Sequence, residues 1–120
     1  MAKKDELGRR GESVAAEWFE HDGYRIIDRN WRSSQGEIDL IVTDEETLVF
    51  VEVKTRSSLG YGHPFEAITP RKCARLRRLT GLWAQQSLCA VRPELIRIDG
   101  VAVMNAWTSH PTIEHITGIA

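Results

Sequence analysis

Gly36-Glu37-Ile38-Asp39-Leu40-Ile41-Val42 is followed, past the polar stretch Asp44-Glu45-Glu46-Thr47, by Leu48-Val49-Phe50-Val51-Glu52-Val53-Lys54. Side chains alternate between the two faces of a strand. Ile38, Leu40 and Val42 therefore share one face of the first run, with Glu37, Asp39 and Ile41 on the other. In the second run Val49, Val51 and Val53 lie opposite Phe50, Glu52 and Lys54. A slip of one residue would set apolar faces against charged ones. The pattern thus selects a hairpin with Val42 opposite Val49, Leu40 opposite Val51 and Ile38 opposite Val53. The same register sets Glu37 opposite Lys54 and Asp39 opposite Glu52, with the latter two carboxylates about 4.5–5.5 Å apart at Cβ. Like charges in that position destabilise a sheet, and partly buried carboxylates need a partner or a metal. A divalent cation resolves the conflict by accepting both, and Mg²⁺ suits a site with one or two carboxylates, several waters and phosphate oxygens. The other reading of the same residues is a solvent-facing hairpin side with a Glu37–Lys54 cross-strand ion pair.

Working outward, the spacing predicts a helix from about Leu7 to His21, with Leu7, Val14, Ala15, Trp18 and Phe19 on one side and Gly23 as its stop. Tyr24–Asn30 reads as a short strand, and Ser33-Ser34-Gln35-Gly36 as a turn. Thr69-Pro70 places an N-cap residue before a first-turn proline and opens a helix that runs to about Gln86. On that helix Leu76, Leu79 and Trp83 face the core, while Arg71, Arg75 and Arg78 form a separate stripe. Lys72 lies on the core-facing line but in the first turn, where its side chain reaches past the core edge toward the charged end of the hairpin. Leu95–Asp99, Val101–Met104 and Thr112–Ile116 read as short strands, with a bend expected at Gly100. Trp18, Trp31, Trp83 and Trp107 are expected in the core, with exposure on the turn as the alternative for Trp31. The order is α-β-β-β-α-β-β, an α/β domain around one mixed or antiparallel sheet that spans residues 1–120.

At 120 residues, with 42% hydrophobic and 28% charged residues, the chain suits one globular domain, which excludes disorder and collagen-like structure. Its apolar runs are too short for a membrane-spanning helix, and the charged N-terminus has no leader-like apolar stretch. Two cysteines, Cys73 and Cys89, read as free thiols, so the cytoplasm is the expected compartment. The net charge of −1 conceals an asymmetry. Between Ala67 and Pro93 there is no acid but six basic residues, Arg71, Lys72, Arg75, Arg77, Arg78 and Arg92. The other ten basic residues stand against all 17 acids, so a segment at +6 rides on a body at about −7. Such a surface suits phosphate binding; its alternative is a solvated helix face.

Other chemistries fail on spacing. His110 with Glu114-His115 reads H-x-x-x-E-H, one residue too long for the H-x-x-E-H zinc-peptidase pattern. The cysteines lack partners at zinc-finger distances. Neither a G-x-S-x-G elbow nor a phosphate-binding glycine loop is present in the sequence.

The run Gly36-Glu37-Ile38-Asp39-Leu40-Ile41 with Val49-Phe50-Val51-Glu52-Val53-Lys54-Thr55-Arg56 resembles the D…ExK signature of restriction-endonuclease-like nucleases. Nearly the whole chain is similar to the YraN-like family of small bacterial proteins, which themselves resemble archaeal Holliday-junction resolvases. The matching blocks are Gly8-Arg9-Arg10-Gly11-Glu12, Gly23-Tyr24, Asn30-Trp31-Arg32, the hairpin, Thr69-Pro70-Arg71-Lys72, Ile96-Arg97-Ile98-Asp99 and Ile113-Glu114-His115-Ile116. The resemblance implies a restriction-endonuclease-like fold with a central mixed sheet flanked by helices. It also implies Mg²⁺-dependent hydrolysis of structured or branched DNA, with Mn²⁺ as the substitute ion. Asp39, Glu52 and the Val53 carbonyl would hold the metal, Lys54 would orient water and offset phosphate charge, and Glu12 would be the additional glutamate. Arg9, Arg10, Arg56, Arg71, Lys72, Arg75 and Arg78 would contact nucleic acid through its backbone. The Gly60-Tyr61-Gly62-His63 stretch would be a loop beside that site. A homodimer is implied by the two symmetric strands of a four-way junction. The competing reading is a non-catalytic nucleic-acid-binding module on a nuclease scaffold, active only in a complex.

Overall fold

The computed structural model describes residues 3–57, 63–86 and 93–120. Helix α1 (Lys3–His21) precedes strands β1 (Arg25–Ser33), β2 (Gly36–Thr43) and β3 (Thr47–Arg56). A 3-10 turn at Pro64–Ala67 leads to helix α2 (Pro70–Gln86), followed by β4 (Leu95–Met104) and β5 (Thr112–Ile116). The strands form one sheet in the order β1-β2-β3-β4-β5. Neighbours are antiparallel except β3 and β4, which run parallel. A parallel neighbour needs a crossover of a dozen or more residues, and the segment carrying α2 supplies it.

Each face of the sheet receives one helix. Val14, Ala15, Ala16 and Phe19 of α1 pack on Leu40, Val42, Val49, Val51, Val53, Val101 and Val103. Leu76, Leu79 and Trp83 of α2 cover Ile38, Ile41, Leu48, Phe50 and Ile98 on the opposite face. The central β3 is consequently apolar on both sides until Glu52. The Thr69 hydroxyl accepts the Lys72 N–H at 3.2 Å, an N-cap that fixes where α2 begins. A mixed sheet between two helices in this order is a restriction-endonuclease-like α/β architecture.

Several expectations need correction. Helix α1 starts at Lys3 rather than Leu7; Asp5 and Glu6 in its first turn complement the helix dipole. Strand β1 continues past Asn30 to Ser33, paired with Gly36 of β2. β4 is one strand rather than two short ones and runs straight through Gly100. A Cβ there would lie 3.3 Å from Ile68 Cδ1 and 3.3 Å from Phe65 Cε1. The glycine marks a close approach of the 3-10 turn, not a bend. Trp83 is buried and Trp31 packs against the α2-side cluster, but Trp18 and Trp107 are 42% and 58% exposed. Trp18 keeps its indole N–H on His115 Nδ1 at 3.2 Å at the α1 surface. Trp107 follows the buried Ala106 just beyond β4, so the neighbouring small residue fills the core instead.

The hairpin register holds at Val42↔Val49 and Leu40↔Val51. Paired residues stop there, so Ile38 does not oppose Val53 in a continued ladder. Ile38 instead packs with Ile41 on the α2 side, breaking the alternation that placed it with Leu40. The break falls beside Asn30, whose φ of 50° is left-handed. Asparagine tolerates that conformation better than most residues.

Candidate active site

Where β2 and β3 part, the backbone loses a partner and a side chain replaces it. Asp39 Oδ2 accepts the Val53 N–H at 2.8 Å, just beyond the last paired residues, Leu40 and Val51. Asp39 and Glu52 are both buried, and their carboxyl groups share a hydrogen bond. Burial, that bond and the negative charge of Glu52 push the Asp39 carboxyl up to about 9. Asp39 is thereby biased toward its protonated, neutral form. Lys54 Nζ lies 3.7 Å from Glu52 Oε2. The expected Glu37–Lys54 cross-strand pair is not formed; Glu37 pairs with Arg32 at 3.1 Å, near the β1–β2 turn.

These groups open into a cleft of about 910 Å³ that both helices help to wall. From α1 come Leu7, Gly8 and Glu12; from α2 come Lys72 and Arg75; Thr55 and Arg56 extend the β3 side. Burial raises the Glu12 pKa, while a hydrogen bond with Asn30 works against it. Lys72 is pushed down by burial and by the adjacent Lys54 ammonium. α1 and β2 thus bring acids to the cleft, α2 brings cations, and β3 brings both, Glu52 beside Lys54 and Arg56. Contact between α1 and β3 is tight where Gly11 meets Thr55: a Cβ on Gly11 would fall 2.6 Å from Thr55 Cγ2 and 2.7 Å from its Cβ. That closeness brings Glu12, one residue on, to the cleft.

The structure gathers Glu12, Asp39, Glu52, Val53, Lys54, Arg56, Lys72 and Arg75 around one cleft. It does not bring the others there. Arg71 and Arg78 are exposed on α2, and Arg9 is exposed on α1, all outside its lining. Arg10 turns to the other side of α1, where its Nε donates to the Ala106 carbonyl at 2.9 Å. Of the Gly60-Tyr61-Gly62-His63 loop only His63 lies within the described residues, and Cys89 and Arg92 lie outside them. Sequence reading gave no role to Asn30, although an asparagine ahead of a turn signals left-handed backbone. Arg97, Asp99 and His115 form a separate cluster. Asp99 is fully buried, accepts two Arg97 N–H groups at 2.8 Å each and the Gly118 N–H at 3.0 Å, and lies 2.7 Å from His115 Nε2. Burial alone would raise its pKa, but the bonds to His115, Arg97 and Gly118 outweigh it and hold the carboxyl low.

Among the described residues, no three His, Cys, Asp or Glu side chains converge into a ready metal cage. The donor set that does converge is two hard carboxylates, and Mg²⁺ takes one or two carboxylates and keeps its waters. Fold and cleft together define a restriction-endonuclease-like α/β protein with a carboxylate–lysine pocket at the parting of its hairpin. The model of the uncharacterised protein family UPF0102 matches residues 11–103, and the chain belongs to that family. It is 57% identical over 119 residues to a UPF0102 protein of Leifsonia xyli subsp. xyli, with 99% of both chains covered. It is 50% identical over 119 residues to a UPF0102 protein of an Arthrobacter species, again with 99% of both chains covered. To one of Paenarthrobacter aurescens it is 51% identical over 120 residues, covering 99% of this chain and 97% of the relative. No helix among the described residues is long and apolar enough to cross a membrane.

Proposed function

We propose that the protein is a divalent-metal-dependent endonuclease that hydrolyses phosphodiester bonds of structured or branched DNA. The observation that carries this reading is the Asp39–Glu52 pair, two buried carboxyls bonded to each other with Lys54 3.7 Å from the second, at the floor of a cleft lined by cations. A cation binding at Asp39 would displace its proton, and an oxygen pair of this kind fits Mg²⁺ or Mn²⁺. Asp39, Glu52 and the Val53 carbonyl are the groups that would hold it. When bound, such an ion supplies Lewis-acid polarisation of the phosphate and lowers the pKa of water. Asp39 is oriented by the Val53 N–H on its Oδ2. Lys54 offsets charge gathering on the phosphate and orients the attacking water. Water oxygen bonds to phosphorus as one ester P–O bond breaks, leaving a phosphate monoester and a hydroxyl. Glu12, which lines the same cleft and has a raised pKa, would take part in the proton traffic.

Arg56 and Arg75 at the cleft, with Arg71 and Arg78 further along α2, supply backbone phosphate contacts. Such contacts give affinity without base readout. A second copy of the chain would present a matching cleft to the other strand of a four-way junction. The test is incubation with linear, flapped and four-way-junction DNA, with Mg²⁺ or a chelator, for wild type, Asp39→Ala and Lys54→Ala. Cleavage that requires Mg²⁺ and both side chains is expected. Cleavage unaffected by either substitution overturns the site, and binding without any cleavage establishes the non-catalytic module instead.

A further inference from the structure

Lys54 and Lys72 come from different elements, the end of β3 and the first turn of α2, yet they line the same cleft with their ammonium groups adjacent. Two such groups side by side repel, and an anion between them would relieve that repulsion. One carboxylate, Glu52, is in ion-pair contact with Lys54, and none among the described residues pairs with Lys72. The first turn of α2 holds no acid to neutralise it. The Lys72 N–H is already taken by Thr69, so the side chain rather than the helix backbone is what faces the cleft. The acids of the cleft are Glu12 of α1, Glu37 and Asp39 of β2 and Glu52 of β3, so Glu52 is the one carboxylate that acts on both lysines, and α2 contributes cations only.

We propose that Lys54 and Lys72 form a subsite for a single phosphoryl group and grip its oxygens from two sides. Lys72 then belongs to the reacting phosphate and not to the backbone track of Arg71, Arg75 and Arg78. This deepens the nuclease reading and rests on it for the identity of the phosphate, but its test needs no cleavage.

The chain has four lysines, Lys3, Lys4, Lys54 and Lys72, so ¹⁵N-labelled lysine gives a spectrum simple enough to follow each side chain. Inorganic phosphate is titrated into metal-free protein, with chloride at matched ionic strength as control. Lys54 and Lys72 are expected to shift along one shared curve that chloride does not reproduce. Lys72→Met, which keeps the apolar stem at a half-buried helix position, should weaken phosphate binding seen at Lys54 at least tenfold. Lys72→Arg should restore much of it, and Arg25→Ala, on the far edge strand where Arg25 pairs with Glu45, should leave it unchanged. Glu52→Gln removes the nearest opposing charge and should tighten it. An unchanged Lys54 curve in Lys72→Met, or shifts that chloride mimics, overturns the subsite. In cleavage, Lys72→Met should lower the rate at saturating DNA about 10²-fold, the scale for losing one oxyanion donor. An intact phosphate curve with no cleavage by wild type would overturn the nuclease reading alone. Cleavage with a Lys72-independent curve would overturn the subsite alone.

Discussion

Asp39 and Asp99 are both buried carboxyls, and their surroundings drive them in opposite directions. Asp99 meets Arg97, His115 and the Gly118 N–H, all favouring its charge, whereas Asp39 meets another acid. A carboxyl raised to about 9 in the folded chain and near 4 when unfolded keeps a proton on folding across that interval. Its contribution to stability is complete below about pH 4 and is lost as pH rises toward 9. Metal-free wild type should therefore lose stability between pH 5 and 9 in urea titrations, and Asp39→Asn should flatten that slope. Saturating Mg²⁺ should raise Tm more at pH 8 than at pH 6, because the ion competes with a proton. Equal slopes in wild type and variant would remove Asp39 as the titrating group. Asp99 contributes in the reverse sense: its share is present above the ordinary carboxylate range and lost as pH falls. Asp99→Ala, which strands Arg97 and His115, should cost about 3 kcal/mol in urea unfolding. At this scale the candidate site was legible in the sequence because Asp39, Glu52 and Lys54 are charges in otherwise apolar strands. The sequence pattern placed Ile38 on the face of Leu40, whereas Ile38 packs on the α2 side, because the regular β2–β3 pairing that the alternation assumes ends at Leu40. Nor did it show that Arg10 is committed to a carbonyl 96 residues away.

Among the elements, α1 and α2 do different work at the same cleft. α1 is pressed against β3 at Gly11 and Thr55, and this contact sets how far Glu12 extends over the sheet. Gly11→Ala must push the helix away or displace a β-branched side chain, at a cost of about 1–3 kcal/mol. It should also reduce cleavage more than a variant of equal instability in the α2-side core, such as Leu76→Ala. Equal losses at equal stability would mean that the α1 contact matters to folding only. α2 carries Arg71 and Lys72 at the positive end of its dipole, an arrangement that disfavours the helix by some tenths of a kcal/mol per charge. A bound anion would reverse the sign of that effect. Hydrophobic spacing was enough to place both helices and the central strands β2 and β3, which bury a stripe or a face, but it split β4 in two. Element ends were harder to read. Gly100 looked like an interruption because a glycine's meaning depends on what touches it, and Phe65, Ile68 and Ile119 approach from distant parts of the chain.

For the whole molecule the unequal distribution of charge matters more than its near-zero sum. Six basic residues without an acid between Ala67 and Pro93 were visible in the sequence as a block, but a block of charge has no address until a helix is docked. Docking α2 by Leu76, Leu79 and Trp83 places Lys72 and Arg75 at the cleft and leaves Arg71 and Arg78 facing solvent beyond it. A nucleic-acid strand entering the cleft would then run along α2, where Arg75 and Arg78 are about 4.5 Å apart along the helix axis. Each arginine that neutralises a phosphate releases counterions, so the logarithm of affinity falls linearly with the logarithm of salt, with a slope that counts the contacts. Arg75→Ala and Arg78→Ala should each reduce that slope by about one and weaken binding similarly for any sequence. The cleavage rate at saturating DNA should change little in Arg78→Ala. Arg25→Ala, on the far edge strand where Arg25 is paired with Glu45 at 2.9 Å, should leave the slope as it is. Fluorescence anisotropy with one junction and one duplex across a salt series measures all four proteins. If Arg25→Ala lowers the slope as much as Arg78→Ala does, the molecule binds DNA through diffuse charge. The α2 track would then be wrong even if the cleft cuts.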